Sequence, residues 1–288
     1  MCLTNLKQHG VDDIILLFTD RDKDIPVYFY EKYHVECFVV PDIRTDRSYI
    51  PAIKPFLWWQ FLRSNPSAEH GEYFYMDSDV IFREIPDFSA IKHGPDLWPG
   101  SDTEKYISPE YIASKGPGYL PTMAQIVGLT ESQVNSLKGR SAGAQWVVTD
   151  PKADYWQKVY EDSLRLYRYF EGAEPVEQSK HGKGYTPLQK WTAEMWAQLW
   201  NMPLFGITPA ISHDLDFVTA TDDIRKWSKV KIMHNAGVTA DRKDLFYKAP
   251  YTWHSPFEDD LSFVNKHRCS YRYVQAILEA KKVIDRDL

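Results

Sequence analysis

The chain has 288 residues, a formal charge of −6, and 10 Trp, 18 Tyr and 14 Phe, an aromatic load heavy enough to need an explanation. Hydrophobic residues at 43% with charged residues at 26% describe a globular chain and exclude a disordered one. Three scattered cysteines (Cys2, Cys37, Cys269) exclude a disulfide framework and a cysteine zinc site, and the acid balance weighs against a general nucleic-acid binder.

No apolar run approaches the ~18–20 residues of a membrane-spanning helix. The first residues carry no basic-then-apolar signal pattern. A cytoplasmic protein without a membrane segment is therefore expected.

In chain order, residues 2–9 read as a helix, ahead of the first strand. Doubly wound α/β domains usually open on a strand instead. Asp13-Ile14-Ile15-Leu16-Leu17-Phe18 is a short apolar run of the kind buried on both faces in a parallel sheet. Residues 25–34 read as a helix, 35–40 as a second strand, and 50–64 as a helix whose regular part follows Pro51 and Pro55. Residues 73–76 form a third strand, and Val80-Ile81-Phe82 continues the pattern. Residues 94–121 read as loop with room for a short helix. Residues 144–149 read as a strand and 151–170 as a long amphipathic helix. Residues 172–186 are polar and read as a mobile loop, 187–200 as a helix, 229–233 as a strand and 271–284 as an amphipathic helix. This alternation predicts an α/β fold with a mainly parallel twisted sheet and flanking helices. No linker or repeat interrupts it, so one domain over residues 1–288 is expected.

The strongest chemical signal is Tyr73-Phe74-Tyr75-Met76-Asp77-Ser78-Asp79-Val80-Ile81-Phe82. Two carboxylates one residue apart stand where an apolar strand ends, the edge at which open α/β sheets bind ligands. Carboxylate oxygens suit a hard cation such as Mg²⁺ or Mn²⁺. Asp-x-Asp also occurs at Asp20/Asp22, Asp22/Asp24, Asp214/Asp216 and Asp285/Asp287. Asp285/Asp287 lies in a charged tail. Asp20 follows an apolar strand and competes as a ligand, or caps the next helix. Apolar residues flank only Asp77/Asp79 on both sides, and such burial demands a partner for the charges.

Other candidates are weaker alone. His234, at a strand end before a turn containing Gly237, can join a metal site or touch phosphate, though a lone His is more often structural. Glu194 stands among aromatics in Trp191-Thr192-Ala193-Glu194-Met195-Trp196 as an acid, a base, a sugar anchor or an ordinary helix carboxylate. Gly143 and Ala144, ahead of Gln145, let a ligand approach the backbone. Phosphate-loop, dinucleotide and serine-hydrolase signatures are absent.

This order of motifs resembles the GT-A glycosyltransferases, whose fold is Rossmann-like and which carry sugar from a nucleotide-sugar, usually a UDP-sugar, to an acceptor. The resemblance implies that Asp79 binds the metal, that Asp77 binds the metal or the ribose, and that His234 is a third metal ligand. It divides the domain into a nucleotide-binding half, 1–90, and an acceptor-binding half, 91–288. A closer likeness is to the plant-type hydroxyproline arabinosyltransferases and peptidyl-serine galactosyltransferases. It rests on residues 49–59, on Met76-Asp77-Ser78-Asp79-Val80-Ile81-Phe82-Arg83 and on Glu194-Met195-Trp196. That family reads Asp-Pro-Asp where this chain has Ser78, and Glu-Met-Tyr where it has Trp196.

On this reading Lys54, or a cation of residues 180–190, offsets phosphate charge. Gly143, Ala144, Trp191 and Gly237 line the donor. Trp146, Trp191 and Trp196 stack on a sugar or base, whereas Trp58, Trp59 and Trp156 belong to the core. In a retaining enzyme Glu194 or Gln145 orients the sugar; in an inverting one a carboxylate such as Glu194 is the base. The acceptor hydroxyl belongs to a peptide, a glycan, a small molecule or a hydroxymethylated pyrimidine in viral DNA. Two other classes stay open: a metal-dependent phosphotransferase or hydrolase, and a non-catalytic carbohydrate-binding protein.

Overall fold

The computed structural model describes residues 1–252 and 254–286. Asp287, and with it half of the Asp285/Asp287 pair, lies outside them. The first elements are α1 (Cys2–Gln8), β1 (Ile15–Thr19), α2 (Asp24–Tyr33) and β2 (Glu36–Val40). A proline-opened 3-10 turn leads into α3 (Ile53–Ser64), followed by β3 (Glu72–Tyr75), β4 (Val80–Phe82) and β5 (Leu97–Asp102). Four short helices come next: α4 (Glu104–Ile107), α5 (Pro109–Ala113), α6 (Tyr119–Val127) and α7 (Glu131–Asn135). Then follow β6 (Ala142–Thr149), α8 (Ala153–His181), α9 (Ala193–Asn201), β7 (Thr208–Ile211), β8 (Phe217–Thr219), β9 (Ile232–His234) and α10 (Ser270–Arg286).

The chain is α/β and forms two compact units from interleaved segments. One holds Met1–Ile14, Met76–Ala90 and His213–Leu288; the other holds Ile15–Tyr75 and Ile91–Ser212.

The larger unit carries a parallel pair, β1 with β2, and a sheet in the order β3-β6-β5-β7. In that sheet β6 runs antiparallel to both β3 and β5, and only β5 with β7 is parallel. The expectation of a mainly parallel sheet is thus corrected: the sheets are mixed. A continuous apolar run reports burial on both faces, not strand direction.

Two segments read as loop are regular. β5 lies within 94–121, where Pro99 and Gly100 look like punctuation. Gly100 is there because a Cβ would meet the Trp146 ring at 2.9 Å. Helix α8 runs through Pro175 to His181, across the expected loop. Its second half is charged because it is exposed, and Lys190 pairs with Glu171 at 2.6 Å and Glu174 at 2.8 Å along it.

The aromatic load fills the core of this larger unit. Trp58 stacks on Trp156 at 5.1 Å, and Tyr73 and Tyr75 meet Trp58 edge-on. Such offset and edge contacts add about 0.5–1.5 kcal/mol each beyond the buried area.

The smaller unit is built on the sheet β4-β9-β8, with β4 antiparallel and β8 parallel to β9. Ile81, Val218 and Met233 pack under Tyr273, Val274 and Ile277 of α10. β4 is an edge strand, and the side chains of Asn5 and His9 meet its open side, with His9 Nε2 3.1 Å from the Phe82 carbonyl. Asn5 donates from Nδ2 to the Phe82 carbonyl at 3.1 Å and accepts from the Phe82 N–H at 2.6 Å. Asn5 and His9 thus take the place of a neighbouring strand at Phe82, where an exposed edge would be a liability.

Candidate metal centre

Asp79 immediately precedes β4 and His234 ends β9. Because these strands are antiparallel, with Val80 opposite His234, the two residues meet at one end of the sheet. The Asn235 N–H donates to the Asp79 carbonyl at 2.9 Å and fixes that meeting. His234 Nε2 lies 3.2 Å from Asp79 Oδ1 and 3.5 Å from Asp77 Oδ2. One donor atom from each of Asp77, Asp79 and His234 falls within 4.8 Å of the other two. The three residues singled out as metal ligands therefore converge. The expected turn follows directly: Gly237 has φ +77°, and the Ala236 N–H donates to the His234 carbonyl at 2.7 Å.

Two carboxylates this close repel unless cations face them. The Asp79 side chain is only 13% exposed. Burial alone would push its carboxyl up, but the His234 ring and the Lys248 ammonium, both bonded to it, hold it well below the usual carboxylate range. The Lys248–Asp79 contact escaped the sequence reading, since a lone loop lysine carries no pattern. Cys2 senses Asp79 too, but desolvation pushes its thiol up to about 12, so it supplies no thiolate.

The donor set is two carboxylate oxygens and one imidazole nitrogen. That donor set could hold a divalent metal ion.

The remaining candidates lie in the larger unit. Glu194 is buried on the first turn of α9. Its Oε1 pairs with Lys54 Nζ at 2.7 Å and its Oε2 accepts from the Tyr49 hydroxyl at 2.6 Å. The Glu194 N–H donates back to that hydroxyl at 3.0 Å. Burial, then the Glu194 charge, pushes the Tyr49 phenol well up, so it stays a donor. With both oxygens engaged, Glu194 is better built to hold Lys54 and Tyr49 than to take a proton.

Trp191, one turn earlier, is 61% exposed and presents its indole to solvent. Trp146 and Trp196, expected to stack on a ligand, are instead core residues. The Trp196 indole N–H is spent on the Ile107 carbonyl at 2.9 Å.

Gln145 is fully buried. Its Oε1 accepts from Ser101 at 2.6 Å, while its Nε2 has no partner. Gly143 is covered by protein, since a Cβ there would meet Met195 at 2.5 Å and Thr103 at 2.9 Å. Ala144 holds φ +61°, a left-handed conformation rare for a residue with a Cβ, close to the register shift between β5 and β6.

Residues 225–231 carry four cations, Arg225, Lys226, Lys229 and Lys231, three of which have acidic partners. Arg225 pairs with Asp223 at 2.8 Å, Lys226 with Asp222 at 2.6 Å and Lys231 with Asp214 at 3.0 Å. No helix among the described residues is long and apolar enough to cross a membrane. Comparison with protein-family models, with curated proteins and with solved structures returns no match.

Proposed function

We propose that the chain is a metal-dependent glycosyltransferase of GT-A type that moves a sugar from a UDP-sugar to an acceptor hydroxyl. The observation that carries this reading is the convergence of Asp77, Asp79 and His234 at one strand end, in the motif order of that enzyme class. These three residues would hold the cation. When bound, a divalent ion there neutralises the diphosphate and makes it a better leaving group.

The chain's own groups define the rest. Asp77 and Asp79 supply the negative charge that selects a cation. His234 is held in place by β9 and by the Asn235–Asp79 bond. The Gly237 turn leaves backbone open beside His234, where a phosphate oxygen can approach. Glu194 keeps Lys54 and Tyr49 in position, and a retaining course is what the likeness to the arabinosyl- and galactosyltransferases implies. The exposed Trp191 indole offers a flat apolar face of the kind sugars stack on. A peptide, glycan or small-molecule acceptor is favoured over DNA by the net charge of −6 and by the acidic partners of Arg225, Lys226 and Lys231.

UDP release from a panel of UDP-sugars, with and without Mn²⁺, tests the proposal. Release that needs Mn²⁺ and vanishes in Asp79→Ala is the expected result. A parent protein that neither binds UDP nor releases it removes the reading. Metal-dependent UDP binding without turnover supports a binding protein instead, and phosphate release a hydrolase.

A further inference from the structure

The smaller unit carries its own counter-ion at the metal centre. Lys248 reaches the Asp79 carboxylate, which is otherwise shielded, from a side chain that is itself 57% exposed. Its backbone is anchored on both sides. Leu245 and Phe246 are buried, and the Phe246 N–H donates to Ser270 Oγ at 2.8 Å. Beyond it, Tyr251 stacks on Phe246 at 5.1 Å, and the Tyr251 N–H donates to the Lys248 carbonyl at 3.0 Å. The stem of Lys248 is therefore presented by a fixed segment, and only its four-carbon chain and ammonium are free to swing.

We propose that Lys248 is a tethered competitor of the divalent cation, released from Asp79 when the cation enters and then available to the anion that accompanies it. The argument is one of charge. Asp77 and Asp79 together carry two negative charges, and Lys248 neutralises one of them. A divalent ion among Asp77, Asp79 and His234 neutralises both and puts like charges side by side at Asp79. An ammonium beside a dication is repelled by two charges where it was held by one. The side chain therefore leaves.

Resting on the glycosyltransferase reading, the group it meets is the diphosphate of the donor. Metal and nucleotide then bind cooperatively, because the diphosphate takes up the charge that the metal displaced. This makes Lys248 a positioning residue with effects of opposite sign on its two ligands. A lysine that only stabilises the fold has no such signature.

The test uses the full chain and Lys248→Met, with free Mn²⁺ followed by electron paramagnetic resonance. In the absence of nucleotide, Lys248→Met is expected to bind Mn²⁺ about five- to tenfold more tightly than the parent. Lys248→Arg, which keeps the charge, stays at the parent value. An unchanged or weaker Mn²⁺ affinity in Lys248→Met overturns the proposal. At saturating Mn²⁺, UDP binding is expected to weaken about tenfold in Lys248→Met, and an undiminished UDP affinity refutes the diphosphate role. If the parent binds no UDP, the glycosyltransferase reading fails while the Mn²⁺ comparison still decides whether Lys248 competes. Metal-free melting curves of the three proteins keep a folding defect from being mistaken for either result.

Discussion

His234 Nε2 stands 3.2 Å from Asp79 Oδ1, and the N–H of the next residue bonds the Asp79 carbonyl at 2.9 Å. Side chain and backbone of one strand end therefore grip the start of its antiparallel neighbour. The sheet brings a carboxylate and an imidazole far apart in sequence to contact before any ligand arrives. Such preorganisation lowers the cost of assembling a cation site.

The edge of that sheet depends on Asn5. In Asn5→Ala the Phe82 N–H loses its bond to Asn5 Oδ1, while His9 Nε2 still stands 3.1 Å from the Phe82 carbonyl. Losing a hydrogen bond of this kind costs about 0.5–1.5 kcal/mol. Urea denaturation should show a loss of that size, with faster hydrogen exchange at the Phe82 amide. Unchanged exchange at Phe82 would mean that Asn5 does not complete the strand.

Gly100 is required by the Trp146 ring behind it. Gly100→Ala puts a methyl 2.9 Å from that ring and 3.0 Å from the Gln145 carbonyl. Overpacking of this kind costs about 1–3 kcal/mol. A lower melting temperature with altered near-ultraviolet dichroism is expected. A neutral result would show that β5 and β6 have slack at this position.

Lys54 is the partner of a buried carboxylate. Lys54→Met leaves Glu194 with Tyr49 alone and is expected to destabilise by about 1–3 kcal/mol. Adding Glu194→Gln should restore part of the loss, because the unpaired charge disappears with it. Strictly additive losses in the double variant would contradict a clamp between Lys54 and Glu194.

Asp46 governs part of the acid response. The Ser48 hydroxyl and N–H, then the Arg168 guanidinium, hold its carboxyl down at about 2. In the unfolded chain the value is about 3.9. Its stabilisation is therefore complete above roughly pH 5 and is lost as pH falls toward about 2. The stability difference between parent and Asp46→Asn should shrink over that window. A difference independent of pH would rule out the ionised carboxylate as its source.

What the sequence revealed and what it hid follow from physical causes. β1, β2 and β9 were legible as short apolar runs, and the expected parallel pairing holds for β1 with β2. The antiparallel course of β6 against β3 and β5 was not legible, since an apolar run suits either direction. β5 was hidden by Pro99 and Gly100, and the reason for the glycine is Trp146, far along the chain. The second half of α8 was hidden because an exposed helix is polar, as loops are. Asp77 and Asp79 stood out because carboxylates between apolar residues need a partner. His234 was a weak candidate at a strand end until motif order raised it, and the antiparallel pairing of β4 with β9 explains its place. Tyr49 and Lys248 touch Glu194 and Asp79 across separations that no local pattern encodes. Trp196 looked like Trp191 in sequence, and burial alone separates them.

The account stands on a divalent cation held by Asp77, Asp79 and His234. Titration of Mn²⁺ into the parent and into His234→Ala, read by electron paramagnetic resonance, addresses this most directly. One Mn²⁺ per parent chain is predicted, with affinity lower by two orders of magnitude or more in the variant, on the order expected for losing a direct ligand when outer-shell losses alone cost about 10–100-fold. A parent that binds no Mn²⁺, or a His234→Ala protein that binds it equally well, would contradict the account.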